Sequence, residues 1–149
     1  MVITDKINTL AKQTMYVIIM HTIIYTVYCY AHGQIDPIYT TSSFLPILMF
    51  FCLGPLVAVF FLSKQTARQW AIILISLLTA ELVFNIYSRF AALSPLAFQK
   101  PDMILEIIYE ASFGLMLILE VIGFWLTFKI LQEIHKQIDS QSGKPIQQP

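Results

Sequence analysis

The chain has 149 residues, of which 57% are apolar and only 12% charged, with nine cationic and nine acidic side chains and a net charge of zero. Soluble domains carry about a quarter charged residues, so this composition excludes an ordinary soluble globule and points to a membrane protein. There is no basic excess to set against a phosphate backbone, which excludes nucleic acid as a partner class.

A bilayer core about 30 Å thick asks for about 20 mostly apolar residues in helical form. Four stretches meet that requirement, at about 14–31, 44–62, 69–87 and 107–128. In the first, Thr14, His21, Tyr25, Tyr28 and His32 recur at spacings of seven, four, three and four. At about 100° per residue they form one polar stripe, which should face other helices. Ile19, Ile23 and Val27 lie opposite and suit lipid. Lys6 and Lys12 ahead of the span, with Cys29-Tyr30-Ala31 at its end, loosely resemble a cleavable signal. The polar stripe is not that of a signal core, so the span is expected to be retained.

The first connection holds Gly33, Asp36 and Pro37. The second span is interrupted by Gly54-Pro55. Proline lacks a donor and clashes with the preceding turn, so the Phe51 carbonyl should be freed and the helix kinked. Pro46, after Ser42 and Ser43, falls in a first helical turn, where proline costs little. Cys29 and Cys52 differ in depth by about 8 Å of helix rise, too far for a disulfide.

The third span places Glu81, Asn85, Ser88 and Arg89 on one face, which Trp70 and Leu77 extend. Arg89 is near the span end and can snorkel to headgroups, whereas Glu81 is well inside. Ser94, Pro95, Pro101 and Asp102 mark the third connection. In the fourth span Glu106, Glu110 and Glu120 fall within an arc of about 80°. Gly114 at its edge and Gly123 beside Glu120 would admit a close helix. The helical period continues past Phe128 to about residue 138, with Ile130, Leu131, Ile134 and Ile138 on one face. Residues 140–149 form a polar tail expected to be disordered.

Lys and Arg positions give the orientation. Lys6, Lys12, Lys64, Arg68, Lys129, Lys136 and Lys144 fall on one side, against Arg89 and Lys100 on the other. The expected fold is therefore an all-α, antiparallel four-transmembrane-helix bundle in the inner (plasma) membrane, with both termini cytoplasmic. Tyr16, Tyr28, Tyr30, Trp70, Tyr87, Tyr109 and Trp125 cluster near span ends, as an interfacial belt does.

Matching depths across spans brings His21 level with Glu120, and Glu81 and Asn85 nearby. Arg89, Glu110 and His32 lie further out. The result is an expected intramembrane polar ladder of His21, Tyr25, Tyr28, Glu81, Asn85, Arg89, Glu110 and Glu120, with a Glu110–Arg89 pair as clamp. Charged groups at mid-bilayer cost roughly 2.5 to 3.5 kcal/mol each, so such residues face the bundle and find partners.

Three functions fit this pattern. The first is an accessory or interaction subunit of a membrane assembly, its polar groups tying helices together. The second is a proton-coupled or small-solute binding or transport protein, for which a homo-oligomer would supply enough helices. The third is a membrane enzyme acting on a lipid-like substrate. The sequence contains no catalytic triad, phosphate-binding loop, zinc-protease motif or dinucleotide fingerprint. It indicates no cofactor and no metal set. His21 and His32 stand about 16 Å apart along one helix and could not hold one haem between them.

The run Gly54-Pro55-Leu56, the segment Phe84-Asn85-Ile86-Tyr87-Ser88-Arg89-Phe90, and the pairs Ser94-Pro95 and Pro101-Asp102 resemble small uncharacterised bacterial four-helix inner-membrane proteins. The resemblance spans about residues 45 to 128. It implies the fold and no activity. Where such proteins carry histidine before the phenylalanine, this chain has Arg89.

Overall fold

The computed structural model describes residues 4–35, 46, 49–64, 66–91 and 103–142, with the side chains of 35, 88–91 and 141–142 outside that set. The expected turn residues Asp36, Pro37, Ser94, Pro95, Pro101 and Asp102, and the tail from 143 onward, also lie outside it.

Helix α1 is Asp5–Ile35 and helix α2 is Gly54–Phe60, entered through a π-helical turn at Met49–Leu53. Helix α3 is Ala67–Ala91 and helix α4 is Met103–Ser142. Strands are absent among the described residues. Three of the helices, over Asp5–Gln34, Ala67–Tyr87 and Met103–Ser140, are long and apolar enough to cross a membrane. Met49–Phe60 is apolar but shorter. The rest of the second expected span, at 44–48, is described only at Pro46. The 40 residues of α4 reach about 60 Å, twice a bilayer core, so part of this helix stands outside the membrane.

The π turn ends where Gly54 and Pro55 begin α2. Proline at 55 cannot donate to the Phe51 carbonyl. A widened turn is one way a helix accommodates a lost bond of this kind. Beyond α2 the helix tightens. Phe61 and Leu62 donate to the carbonyls of Ala58 and Val59, Lys64 to Phe61, and Ala67 to Lys64. These three-residue bonds satisfy carbonyls at the helix end and carry the chain directly into α3. The Phe61 ring stacks on Trp70 at 4.6 Å across this turn.

Contacts between α1 and α4 run in opposite chain order. Thr4 and Lys6, at the start of α1, meet Gln137 at 2.9 Å and Glu133 at 2.9 Å near the end of α4. Tyr28 and His32, near the end of α1, stack on Tyr109 near the start of α4 at 5.2 and 5.6 Å. Lys6 and Lys136 both donate to Glu133, which holds its carboxyl below the ordinary range.

The interior divides into two apolar clusters. One packs Ile7, Ala11, Ile18, Ala58, Leu62, Ala71, Leu74, Leu78 and Ile130 around the start of α1. The other packs Tyr25, Tyr28, Cys29, Phe51, Cys52, Tyr109 and Met116 around its far end. Both cysteines are buried free thiols. Outward faces are apolar too, with Ile23, Val83, Ile118 and Val121 all more than half exposed. In water such faces would form large sticky patches; in a bilayer they are the lipid-facing surface.

Candidate functional site

Between the two clusters lies a polar cluster with one residue from α1, two from α3 and one from α4. His21, Glu81, Asn85 and Glu120 are 0, 0, 1 and 2% exposed. Each sits on its helix's buried stripe. In α1 that stripe includes Ile7, Ala11, Thr14, Ile18, His21, Tyr25 and Tyr28; in α3 it includes Ala67, Ala71, Leu74, Leu78, Glu81 and Asn85. The spacings of three and four are those of a helix face, so the apolar residues that pack the core also turn the polar ones inward.

His21 Nε2 stands 3.3 Å from Glu81 Oε1 and 3.7 Å from Glu120 Oε1. Asn85 Nδ2 donates to Glu120 Oε1 at 3.3 Å and approaches Met116 Sδ at 3.7 Å. The two histidine contacts are within ion-pair distance but are not aligned as hydrogen bonds. Among the described residues, both ring nitrogens of His21, both carboxylate oxygens of Glu81 and Oε2 of Glu120 are buried without a hydrogen-bond partner. Hydroxyls elsewhere in the spans behave differently. Thr14, Thr22, Thr26, Ser76, Thr79, Ser112 and Thr127 each donate to the carbonyl four residues back, at 2.7 to 3.0 Å. The helix satisfies its small polar groups locally, whereas the histidine, Glu81 and one oxygen of Glu120 find no such partner among the described residues. One ligand atom from each of His21, Glu81 and Glu120 lies within 4.8 Å of the others.

Of the expected ladder, the structure brings together His21, Glu81, Asn85 and Glu120. Tyr25 is buried beside them and stacks on His21, with ring centroids 5.9 Å apart. Tyr28 continues the column at 6.1 Å from Tyr25. It ends on His32, half-buried, and Tyr109, buried. Glu110 stands exposed, as does Glu106. The Arg89 side chain lies outside the described set, and with it the expected Glu110–Arg89 clamp.

Glu110 and Glu120 separate because the seam of α4 does not centre on the acidic arc. The inward residues are Leu105, Tyr109, Ser112, Met116 and Glu120. Their mean direction is about 40° beyond Glu120, which leaves Glu106 about 80° and Glu110 about 120° away. The three glutamates share an arc, but only its Glu120 edge meets the bundle. The glycines differ likewise. A Cβ on Gly123 would lie 3.4 Å from both Ile18 and Leu78, whereas Gly114 has nothing within 4 Å. Close helix approach is therefore at Gly123, one turn past Glu120.

Sequence reasoning missed Met116, one turn before Glu120 and in contact with Asn85. It also placed Tyr109 in the interfacial belt. Tyr16, Tyr30, Tyr87 and Trp125 are exposed as a belt should be, but Tyr28 and Tyr109 are buried against each other. Their four-residue spacing from His32 and Phe113, respectively, was the available signal.

No family model, curated protein or solved structure matches this chain.

Proposed function

We propose that the protein is a small multi-pass inner-membrane protein that binds a cationic solute at the His21–Glu81–Glu120 cluster, in the service of solute binding or transport. In this reading the chain forms an antiparallel bundle of four spans, the second comprising the apolar stretch 44–62 with its Gly54-Pro55 break. Both termini are cytoplasmic, as the placement of Lys6, Lys12, Lys64, Arg68, Lys129 and Lys136 supports. The opposite chain order of the α1 and α4 contacts is consistent with that topology.

One observation carries the reading. Three ionisable side chains from three helices converge, fully buried, with polar atoms left unpaired. A tie whose role was only to hold helices together would pair those atoms, because an unsatisfied buried polar group costs about 1 to 3 kcal/mol. Two carboxylates facing one imidazole also form an electronegative pocket in a low-dielectric interior, where a cation is the natural complement. Tyr25, Tyr28, Tyr109 and His32 then line the route between the cluster and one end of the bundle.

Thermal unfolding of the detergent-purified protein against a panel of monovalent and divalent cations tests this. A cation present at about 100 times its Kd should add roughly 2.7 kcal/mol of stability. The shift should vanish in Glu81→Gln and in Glu120→Gln. If no cation moves the wild type, or if the shift persists in both substituted proteins, the cluster is a structural tie and the accessory-subunit role takes its place.

A further inference from the structure

We infer that the cation is a divalent first-row transition metal, held by His21 Nε2 and by one oxygen each of Glu81 and Glu120. This rests on the cation-site reading above and narrows it. Charge-assisted hydrogen bonds between nitrogen and carboxylate close to about 2.7–2.9 Å. The separations here, 3.3 and 3.7 Å, are longer than that. They match the edges of a ligand tetrahedron instead, since donors about 2.1 Å from a zinc-type ion stand about 3.4 Å from one another. Both nitrogen-to-oxygen edges thus have ligand spacing, and all three donor atoms lie within 4.8 Å of one another.

Charge and donor type agree with the spacing. Metal coordination takes carboxylates in their deprotonated form, and a divalent ion then neutralises both charges. A neutral imidazole with two carboxylates and no thiolate suits ions of the Mn2+ to Zn2+ series. Ca2+ asks for six to eight oxygen donors, and Mg2+ for near-ideal octahedral oxygen coordination. Asn85 supplies the outer support that metal carboxylates take: its Nδ2 donates to Glu120 Oε1 and fixes that oxygen's direction. Three protein donors leave further coordination positions for water or a transported group, as open metal sites do. The motif is invisible along the chain because each of the three donors comes from a different helix.

The test uses the full-length protein in mild detergent, stripped with a chelator and titrated with Co2+ alone. Visible d–d absorption of a four- or five-coordinate ion should appear, saturate at one Co2+ per chain and be displaced by Zn2+. His21→Ala, Glu81→Gln and Glu120→Gln should each abolish the bands. Asn85→Ala, which keeps all three donors, should retain them and weaken Co2+ affinity about 10- to 100-fold. Glu110→Gln, and Cys29→Ser combined with Cys52→Ser, should leave affinity unchanged. Absence of bands from folded wild type overturns the assignment. So do bands that survive all three donor substitutions, or an Asn85→Ala protein that binds as tightly as wild type. If wild type takes no Co2+ but Na+ or Ca2+ raises its unfolding temperature in a Glu81- and Glu120-dependent way, the transition-metal assignment fails and the cation-site reading stands.

Discussion

The two ends of the bundle are built differently. Around the start of α1 the core is aliphatic: Ala11, Ala58, Ala67 and Ala71 bring backbones close while Ile7, Ile18, Leu62, Leu74, Leu78 and Ile130 interdigitate. Around its far end the core is made of rings and sulfur, with Tyr25, Tyr28, Phe51, Tyr109, Cys29, Cys52 and Met116. The polar cluster sits at the boundary. At the aliphatic end the buried hydroxyls of Thr14 and Thr127 are spent on their own helix carbonyls, and the rest of the core is apolar. The aromatic end carries phenol hydroxyls and the His32 imidazole, groups that can receive one. In the proposed reading a cation would reach the cluster from the aromatic side.

The largest test of this contrast is truncation on each side. Tyr28→Ala removes a ring stacked on His32 and Tyr109 and packed on Phe113. It should cost about 3 to 5 kcal/mol, and Leu74→Ala in the aliphatic core about 2 to 5 kcal/mol, both read from denaturant unfolding in detergent. In addition, Tyr28→Ala should change cation on- and off-rates, whereas Leu74→Ala should leave them unaltered. Equal effects on those rates would remove the distinction between the two sides.

Next is the close approach at the site's edge. Gly123→Leu should force Ile18 and Leu78 aside and cost about 1 to 3 kcal/mol. Gly114→Leu, in open space, should stay within about 0.5 kcal/mol. Gly114 proving as sensitive as Gly123 would mean that α4 meets another helix along its outer face. Smaller again is Thr127→Val. It loses one bond to the Gly123 carbonyl and should change stability by about 1 kcal/mol or less, since that bond is local to the helix.

The smallest effect belongs to the exposed link between Lys6, Lys136 and Glu133 at the aliphatic end. The Glu133 carboxyl is held below its ordinary value by hydrogen bonds from the two lysines. Its contribution is therefore fully present above the usual carboxylate range and is lost as pH falls through the lowered value. Glu133→Gln should remove that acid-side component of a stability-versus-pH curve and leave neutral-pH cation binding unaltered.

Much of this was legible in the sequence, for definite reasons. Helical arithmetic fixes residues relative to their own helix, so the stripe of Thr14, His21, Tyr25 and Tyr28 and the face of Glu81 and Asn85 could be read directly. Counting depth from span ends was enough to set His21 level with Glu120. Grouping the α4 charges with each other, by contrast, says nothing of where a seam centres. The apolar residues decide that, and Leu105, Tyr109 and Met116 turn α4 so that Glu110 faces outward. The π turn was also hidden: Pro55 is plain in the sequence, but nothing along the chain says how the preceding turn takes up the lost bond. Unpaired atoms at His21 and Glu81 could be seen only once three helices were in place.

The measurement that bears most directly on the central claim is X-ray absorption at the zinc edge on the Zn2+-loaded protein. A first shell of nitrogen and oxygen donors at about 2.0–2.2 Å, with the multiple-scattering signature of a single imidazole, would place the ion on His21, Glu81 and Glu120. Sulfur scatterers at about 2.3 Å would put it on Cys29 and Cys52 instead. Either that result or a shell without imidazole would contradict the account.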